Sequence, residues 1–382
     1  PRRRLVDSGV PSDGLILLTF TNKAAGEMRE RLRERLPAGV EAPWIGTFHS
    51  FGNRLLRSHG KAIGVPRNAT LMDADDAQRM LDALLAPGFP ERPARVEALR
   101  LREAVAANGL DVAREADEPG IAALWERAGW NDATGRRFLG ALRRYEEEKQ
   151  QARVLDFSDL ILLPARLLRQ EPALRERVAA GLRDVTVDEA QDTDAAQFRL
   201  LQLITPEDRT VLLVGDDDQA IYEWRHARPE NMGDFIDCYG ATVYRLERNY
   251  RSTPAIVTSG ASLVRHNTAR LEKTPYAVRS APQADVVRLA QYDDGDAMAE
   301  GVAERIAADL ARGVSAADMA VLYRKNRLSR TLETALLRHG IAYRIKAGTD
   351  LLGHADVRMM LAAGRLAANP RDVRALSRLA DL

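Results

Sequence analysis

Asp188 and Glu189 follow the β-branched run Val185-Thr186-Val187 and lead into Ala190-Gln191-Asp192. Two successive carboxylates at the C-terminal end of a short strand suit a phosphohydrolase. One anchors Mg²⁺, and the next orients or deprotonates the attacking water. Their usual companion is a phosphate-cradling G-x-x-x-x-G-K-[ST] loop, which occurs nowhere in the 382 residues; the Gly60-Lys61 pair is followed by Ala62. One half of a nucleotide site is written out without the other.

A second group of residues lies close by. Gly215-Asp216-Asp217-Asp218-Gln219 follows the apolar run Val211-Leu212-Leu213-Val214. Three adjacent carboxylates repel one another and favour a solvated or cation-facing position, while Gln219 can hydrogen-bond a terminal phosphate or its attacking water. Tyr222, Trp224 and Arg225 come next. Aromatic faces beside a guanidinium are the material of a single-stranded nucleic-acid platform; the competing reading is a Trp packed in the core beside a paired Arg. The six His and single Cys show no zinc spacing, and Ser50 and Ser158 have no supporting triad pattern.

The elements that must position these residues are legible as short strands and capped helices. Leu15–Thr19, Val185–Val187 and Val211–Val214 read as buried parallel strands ending at polar residues. Thr21-Asn22 offers a cap to a helix through Ala25, Met28, Leu32 and Leu36, and Asp194 with Gln197 opens another. Strand–helix alternation of this kind predicts a doubly wound α/β layer, whose ligands bind outside the carboxyl ends of the strands. Residues 73–150, rich in Ala, Leu, Arg and Glu, read as an inserted helical subdomain, with Glu146-Glu147-Glu148 on a solvated face. After Asn249 a further α/β unit is expected, with strands at 285–290 and 319–323 and helices at 297–312 and 329–339.

Composition sets bounds without naming a function. The length predicts two or three domains. Hydrophobic content of 45% with 29% charged residues describes a globular chain, and no apolar run reaches the length of a membrane span. Net charge of +1 leaves any nucleic-acid binding to a local groove. The chain has 50 Arg against six Lys, which suits phosphate recognition and equally fits a coding bias. A lone cysteine, Cys238, fits a reducing cytoplasm. The first residue is not Met, and the helical pattern at 375–382 carries no stop signal, so the sequence reads as an internal fragment.

The stretch Val214–Arg225 with Ala227-Arg228-Pro229-Glu230-Asn231 resembles motif III of superfamily 1 DNA helicases of the UvrD/Rep type. Thr19-Phe20-Thr21-Asn22-Lys23-Ala24-Ala25 resembles motif Ia, and Gly46-Thr47-Phe48-His49-Ser50 motif Ib. Leu155-Asp156-Phe157-Ser158-Asp159-Leu160 resembles the return of the helical insertion, Asp188–Thr193 motif II, and Leu246–Ser252 motif IV. Six matches in family order are far more specific than any one of them. Tyr323-Arg324-Lys325-Asn326 and 341–348 extend a weaker likeness, and 155–164 with 227–231 is most like the Rep branch.

The resemblance implies a RecA-like doubly wound parallel sheet with an inserted helical subdomain and part of a second RecA-like domain. It divides the chain into 1–72 and 155–250 (first motor domain), 73–154 (insertion), 251–348 (second motor domain, N-terminal part) and 349–382 (start of a further helical insertion). It implies an ATP-dependent 3′→5′ helicase on single-stranded DNA and duplex junctions, working with ATP and Mg²⁺ beside replication or repair proteins. Asp188 would hold the metal, Glu189 would be the base, and Gln219 would sense the γ-phosphate. Tyr250 would stack on adenine, with Arg251 as a cis arginine finger. Phe20, Phe157, Tyr222 and Trp224 would stack on bases; Asn22, Thr47, His49, Arg225, Arg324 and Asn326 would contact the strand. Gln219 and Trp224 lie close enough in sequence for a phosphate-sensing shift to move a base-stacking ring.

Two departures stand out: His226 replaces the usual Gly after Trp-Arg, and Ala347–Leu352 follows the family only loosely. Without a phosphate loop the 382 residues are not expected to sustain turnover. Two other readings stay open: an ATPase-dead protein binding single-stranded DNA, and the motor part of a helicase-nuclease.

Overall fold

The computed structural model describes residues 6–206, 209–268, 270–281, 286–345 and 355–368, with positions 370, 372, 376 and 379. They fall into two compact units, one within 1–245, 269–271 and 359–382, the other within 246–268 and 272–358. Among the described residues no helix is long and apolar enough to cross a membrane.

The first unit begins β1 (Leu15–Thr19), α1 (Asn22–Arg33), β2 (Trp44–Thr47), α2 (Phe48–His59). An insertion then runs from β3 (Thr70–Leu71) through α3 (Ala74–Leu85), α4 (Arg92–Ala107), α5 (Glu118–Arg127) and α6 (Asp132–Ala152) to β4 (Val154–Leu155). The chain returns through α7 (Asp159–Gln170), α8 (Pro172–Gly181), β5 (Asp184–Val187), α9 (Ala195–Ile204), β6 (Thr210–Leu213) and α10 (Asn231–Tyr239). The order β2-β1-β5-β6, all parallel, is that of an α/β doubly wound sheet.

Alternation along β1 sends its side chains into two cores. Ile16 and Leu18 pack with Val185, Val187, Phe48, Phe51, Leu168 and Leu201, while Leu17 packs with Ile45, Ala25 and Leu32 of α1. A strand covered on both faces must be apolar throughout, and β1 is buried along its whole length. Full burial of a residue such as Leu18 contributes roughly 1.5–3 kcal/mol. β6 departs from the expected buried strand: it is the outer strand of the order, and Leu212 and Val214 are exposed. The strand β2 was legible only as a motif, because Trp44-Ile45-Gly46-Thr47 is too short and mixed to show a period.

The insertion leaves and re-enters through one neck, where β3 and β4 pair in parallel, Thr70 beside Val154 and Leu71 beside Leu155. Its helices bury Met80, Leu85, Ile121, Trp125, Phe138, Leu142 and Tyr145 in a core of their own. Gly135 allows close contact there, since a Cβ would lie 2.3 Å from the Trp125 ring.

The second unit contains β7 (Arg248–Asn249), α11 (Pro254–Val264), β8 (Tyr276–Ala277), α12 (Gly295–Ala311) and α13 (Leu328–Arg338). The two expected helices are present, packed through Ala299, Ala303, Leu332, Ala335 and Leu336. The expected strands are not: 286–290 and 319–323 have no ladder, and Leu289 and Leu322 are fully or almost fully exposed. A strand exists only by pairing, and the one ladder described in this unit is β7 with β8. Asp285 and the Ala347–Leu352 segment lie outside the described residues.

Candidate functional site

Parallel register brings the strand ends to one edge. Leu18 is level with Gly46 and Val187, and Val187 with Leu213. The Asp188 amide donates to the Leu18 carbonyl at 2.9 Å, and the Val214 amide to the Val187 carbonyl at 2.8 Å. The chain then turns sharply, because Glu189 adopts a left-handed conformation with φ of 54° and ψ of 44°. That backbone is costly for a residue other than Gly and is typical of functional positions.

Behind the carboxylates runs a relay that the motif reading missed. Gln191, buried, donates from Nε2 to Glu189 Oε2 at 2.7 Å and accepts at Oε1 from the Asp216 amide at 3.0 Å. Gly215 packs closely beside it: a Cβ there would lie 2.7 Å from Gln191 Oε1, so the Gln191 amide would have to shift. Gln219 Nε2 donates to Asp216 Oδ2 at 2.6 Å, so Glu189 and Gln219 are linked through the Gln191 side chain and through the backbone amide and carboxylate of Asp216. The signal for Gln191 was its place in Asp188-Glu189-Ala190-Gln191, but nothing in the sequence showed what it would touch.

Burial, and next the neighbouring Glu189, raises the Asp188 carboxyl above its usual range. The same two causes push Asp192 up to about 6. A carboxyl disfavoured in its charged form by burial and a like charge is relieved by a cation, so Asp188 could hold a divalent ion. The Asp216–Asp218 run is half-buried, and its facing cation is a guanidinium: Arg270 Nε and Nη2 donate to Asp218 at 2.9 and 2.6 Å. The Leu271 amide donates to Asp217 Oδ2 at 2.6 Å.

The aromatic residues come together on the first unit. Phe20, following β1, stacks on Tyr222 with ring centroids 5.2 Å apart. His49, in the first turn of α2, stacks on Phe157 at 3.9 Å. Arg225 lies 5.9 Å from the Tyr222 ring and 5.6 Å from the Trp224 ring. Trp224 is 66% exposed and Phe157 58%, which decides against a core-packed Trp. Burial, with the nearby Arg225 charge, lowers the His49 imidazole to about 4, so it is neutral near pH 7. Asn22 is exposed at the start of α1. Thr47 is buried, and its hydroxyl caps α2 by accepting from the Ser50 amide at 3.1 Å.

His226 follows with φ of 67°, the left-handed conformation that a Gly would adopt without cost. Buried Asn231 fixes the end of this segment, donating from Nδ2 to the Thr193 and Asp194 carbonyls at 3.0 and 3.2 Å. The second unit holds the remaining residues. Tyr250 is exposed after β7, where Asn249 Oδ1 accepts from the Arg251 and Ser252 amides at 3.0 and 2.8 Å. Arg324 and Asn326 are exposed just before α13.

A buried charge lattice was also missed. Lys149 on α6 is only 3% exposed, and its Nζ meets Asp156 at 3.0 Å, Asp159 at 2.8 Å and Glu146 at 2.9 Å. Glu146 therefore belongs to the lattice rather than to a solvated face. Burial works to raise the Asp156 carboxyl, but Lys149 and Arg102 outweigh it and hold it well below the usual range. Asp159 is pushed up to about 7 by burial and by Asp156. One Lys among so many Arg, with two Asp three apart in Leu155–Leu160, was the available signal.

Residues 3–239 match the family model described as UvrD/REP helicase N-terminal domain, and 244–381 that of the UvrD-like helicase C-terminal domain. The chain belongs to the UvrD/Rep helicase family. It is 32% identical to DNA helicase II of Haemophilus influenzae, over 96% of this chain and 50% of that protein. Identity to the ATP-dependent DNA helicase Rep of Salmonella typhimurium is 31%, over 98% of this chain and 54% of that one. The ATP-dependent DNA helicase UvrD1 of Mycobacterium tuberculosis is 33% identical, over 97% and 48%. This UvrD/Rep chain thus spans about half the length of the curated relatives it matches, and its sheet is the doubly wound α/β layer expected of a RecA-like motor.

Proposed function

We propose that the chain carries motor elements of an ATP-dependent helicase that moves 3′→5′ on single-stranded DNA. The observation that supports this best is the shared strand-end edge, which holds both the carboxylate relay and the exposed rings. The segment 214–225 joins them, with Gln219 on the relay and Tyr222, Trp224 and Arg225 in the ring cluster.

In this reading Asp188 holds Mg²⁺, and the bound ion would neutralise charge on the transferring phosphoryl group. Glu189, set by its left-handed backbone and by Gln191, accepts the proton of the attacking water. Gln219 reports phosphate occupancy to the loop that carries Trp224. For Tyr250 we propose adenine stacking, and for Arg251 the arginine-finger role. Phe20, His49, Phe157, Tyr222, Trp224 and Arg225 contact the strand, as do exposed Asn22, Arg324 and Asn326; Thr47 contributes through the backbone at the α2 N-terminus. These 382 residues contain no phosphate-loop motif, so in this proposal the chain by itself binds DNA without sustained turnover. Motor-domain boundaries at 72, 154, 250 and 348 belong to the same proposal, as do duplex junctions and replication or repair proteins as partners and a cytoplasmic location.

The test is equilibrium binding of a fluorescein-labelled oligothymidylate to the chain. Trp224→Ala is expected to weaken binding about 5- to 150-fold, the range for loss of one stacked base. Unchanged affinity in both Trp224→Ala and Phe157→Ala would sink the strand reading. In a polypeptide that also contains a phosphate loop, Glu189→Gln should abolish ATP hydrolysis while leaving DNA affinity intact. Unwinding there should require a 3′ overhang.

A further inference from the structure

The segment Asp156-Phe157-Ser158-Asp159 is held from behind by side chains of the helical insertion. Asp156 and Asp159 cap one another: the Asp156 amide donates to Asp159 Oδ2 at 2.8 Å and the Asp159 amide to Asp156 Oδ1 at 3.1 Å. Tyr145 on α6 donates its hydroxyl to Asp156 Oδ2 at 2.9 Å, and Lys149 bridges Asp156 and Asp159. Arg102 on α4 forks across the exposed residue, one nitrogen on Asp156 and the other on Ser158 Oγ at 3.1 Å. Phe157 alone among 154–165 is exposed.

We propose that Arg102, Tyr145 and Lys149 are positioning residues for Phe157, so that the helical insertion sets how this ring is presented to the DNA strand. The inference rests on the reading of Phe157 as a strand contact. An exposed ring on a short turn would otherwise pay an ordering cost on each encounter with a base. Here the turn is fixed before the encounter by charge-assisted bonds. A lattice of buried charges persists only when every member is paired, which makes it stiff and intolerant of partial loss. The insertion therefore contributes to strand binding without any of these three residues touching the strand.

The test is a double-mutant cycle on the 382-residue chain, read with the fluorescein-labelled oligothymidylate. Lys149→Met leaves two buried carboxylates short of a cation and is unsuitable alone, because it endangers the fold. Arg102→Lys keeps the charge but cannot reach both sides of Phe157, and Tyr145→Phe deletes one hydroxyl. Each is expected to weaken binding by about two- to tenfold, in proportion to one lost buried hydrogen bond. Combined with Phe157→Ala, neither should weaken it further than Phe157→Ala does by itself. The His49 ring-proton resonance, shifted by the stacked Phe157 ring, should move toward its unstacked position in both variants. Effects that add in the Phe157→Ala background, or silent variants where Phe157→Ala is damaging, overturn the positioning role. If Phe157→Ala itself leaves affinity unchanged, the strand-contact reading fails and takes this inference with it.

Discussion

Three single residues carry conformations or charges set by their surroundings. His226 occupies a left-handed position with φ of 67°, which costs an L-residue roughly 1–2 kcal/mol and is less tolerated still by a β-branched side chain than by His. His226→Val should lower unfolding free energy, and His226→Gly should leave it unchanged or slightly higher, as read by urea melts. His49 is held at about 4 by burial and Arg225, below its unfolded value of about 6.5. Between those values the folded chain binds fewer protons than the unfolded chain. Its contribution is therefore full above about pH 6.5 and is lost as pH falls toward 4. His49→Gln should remove a slope worth about 1–3 kcal/mol across that window. Asp192, raised to about 6, works in the opposite direction, so the difference between the chain and the variant is the quantity to measure. Parallel pH profiles for the two proteins would exclude the assignment.

At the scale of elements, strand ends and helix starts do most of the positioning. Phe20 and His49 project from the turns that leave β1 and β2, each opened by a capping Thr. α2 and α7 approach so closely that a Cβ on Gly52 would lie 1.8 Å from the Leu160 carbonyl oxygen. Gly52→Ala should therefore destabilise the first unit by about 1–3 kcal/mol or more, and should disturb the His49–Phe157 stack, because the two helices carry its flanking residues. Thermal melting and oligonucleotide affinity would both register it; a neutral Gly52→Ala would show that the helices separate freely. The relay through Gln191 is a second element-scale device. Gln191→Ala should leave Asp188 in place but let the 216–219 turn loosen, so that hydrolysis in a loop-containing polypeptide falls more than DNA affinity does. The capping pairs and the strands β1 and β5 were readable because their signals are local. β2, β3 and β4 were not: β3 and β4 have two residues each, and β2, although as long as β5, mixes Trp, Ile, Gly and Thr where β5 is β-branched.

The whole molecule divides its stability unevenly. The first unit has a large core on one face of its sheet, a small one on the other and a further large one in the insertion, whereas the described residues of the second unit rest mainly on Ala299, Ala303, Leu332, Ala335, Leu336 and Ile341. All four Trp lie in the first unit. Heating should thus give a first loss of helix, seen by circular dichroism, with no change in tryptophan fluorescence, followed by a second transition seen by both. Coincident curves would contradict independent unfolding. The amino-acid sequence by itself determined the family, the parallel layer and the residue types at the strand ends, because motif spacing, capping and apolar runs are local properties of a chain. It could not determine that Glu189 bends left-handed, that Gln191 joins it to Asp216, that Lys149 is buried behind Phe157, or that 286–290 and 319–323 lack ladders. Each of those depends on which distant residue arrives alongside, and only the folded chain supplies that neighbour.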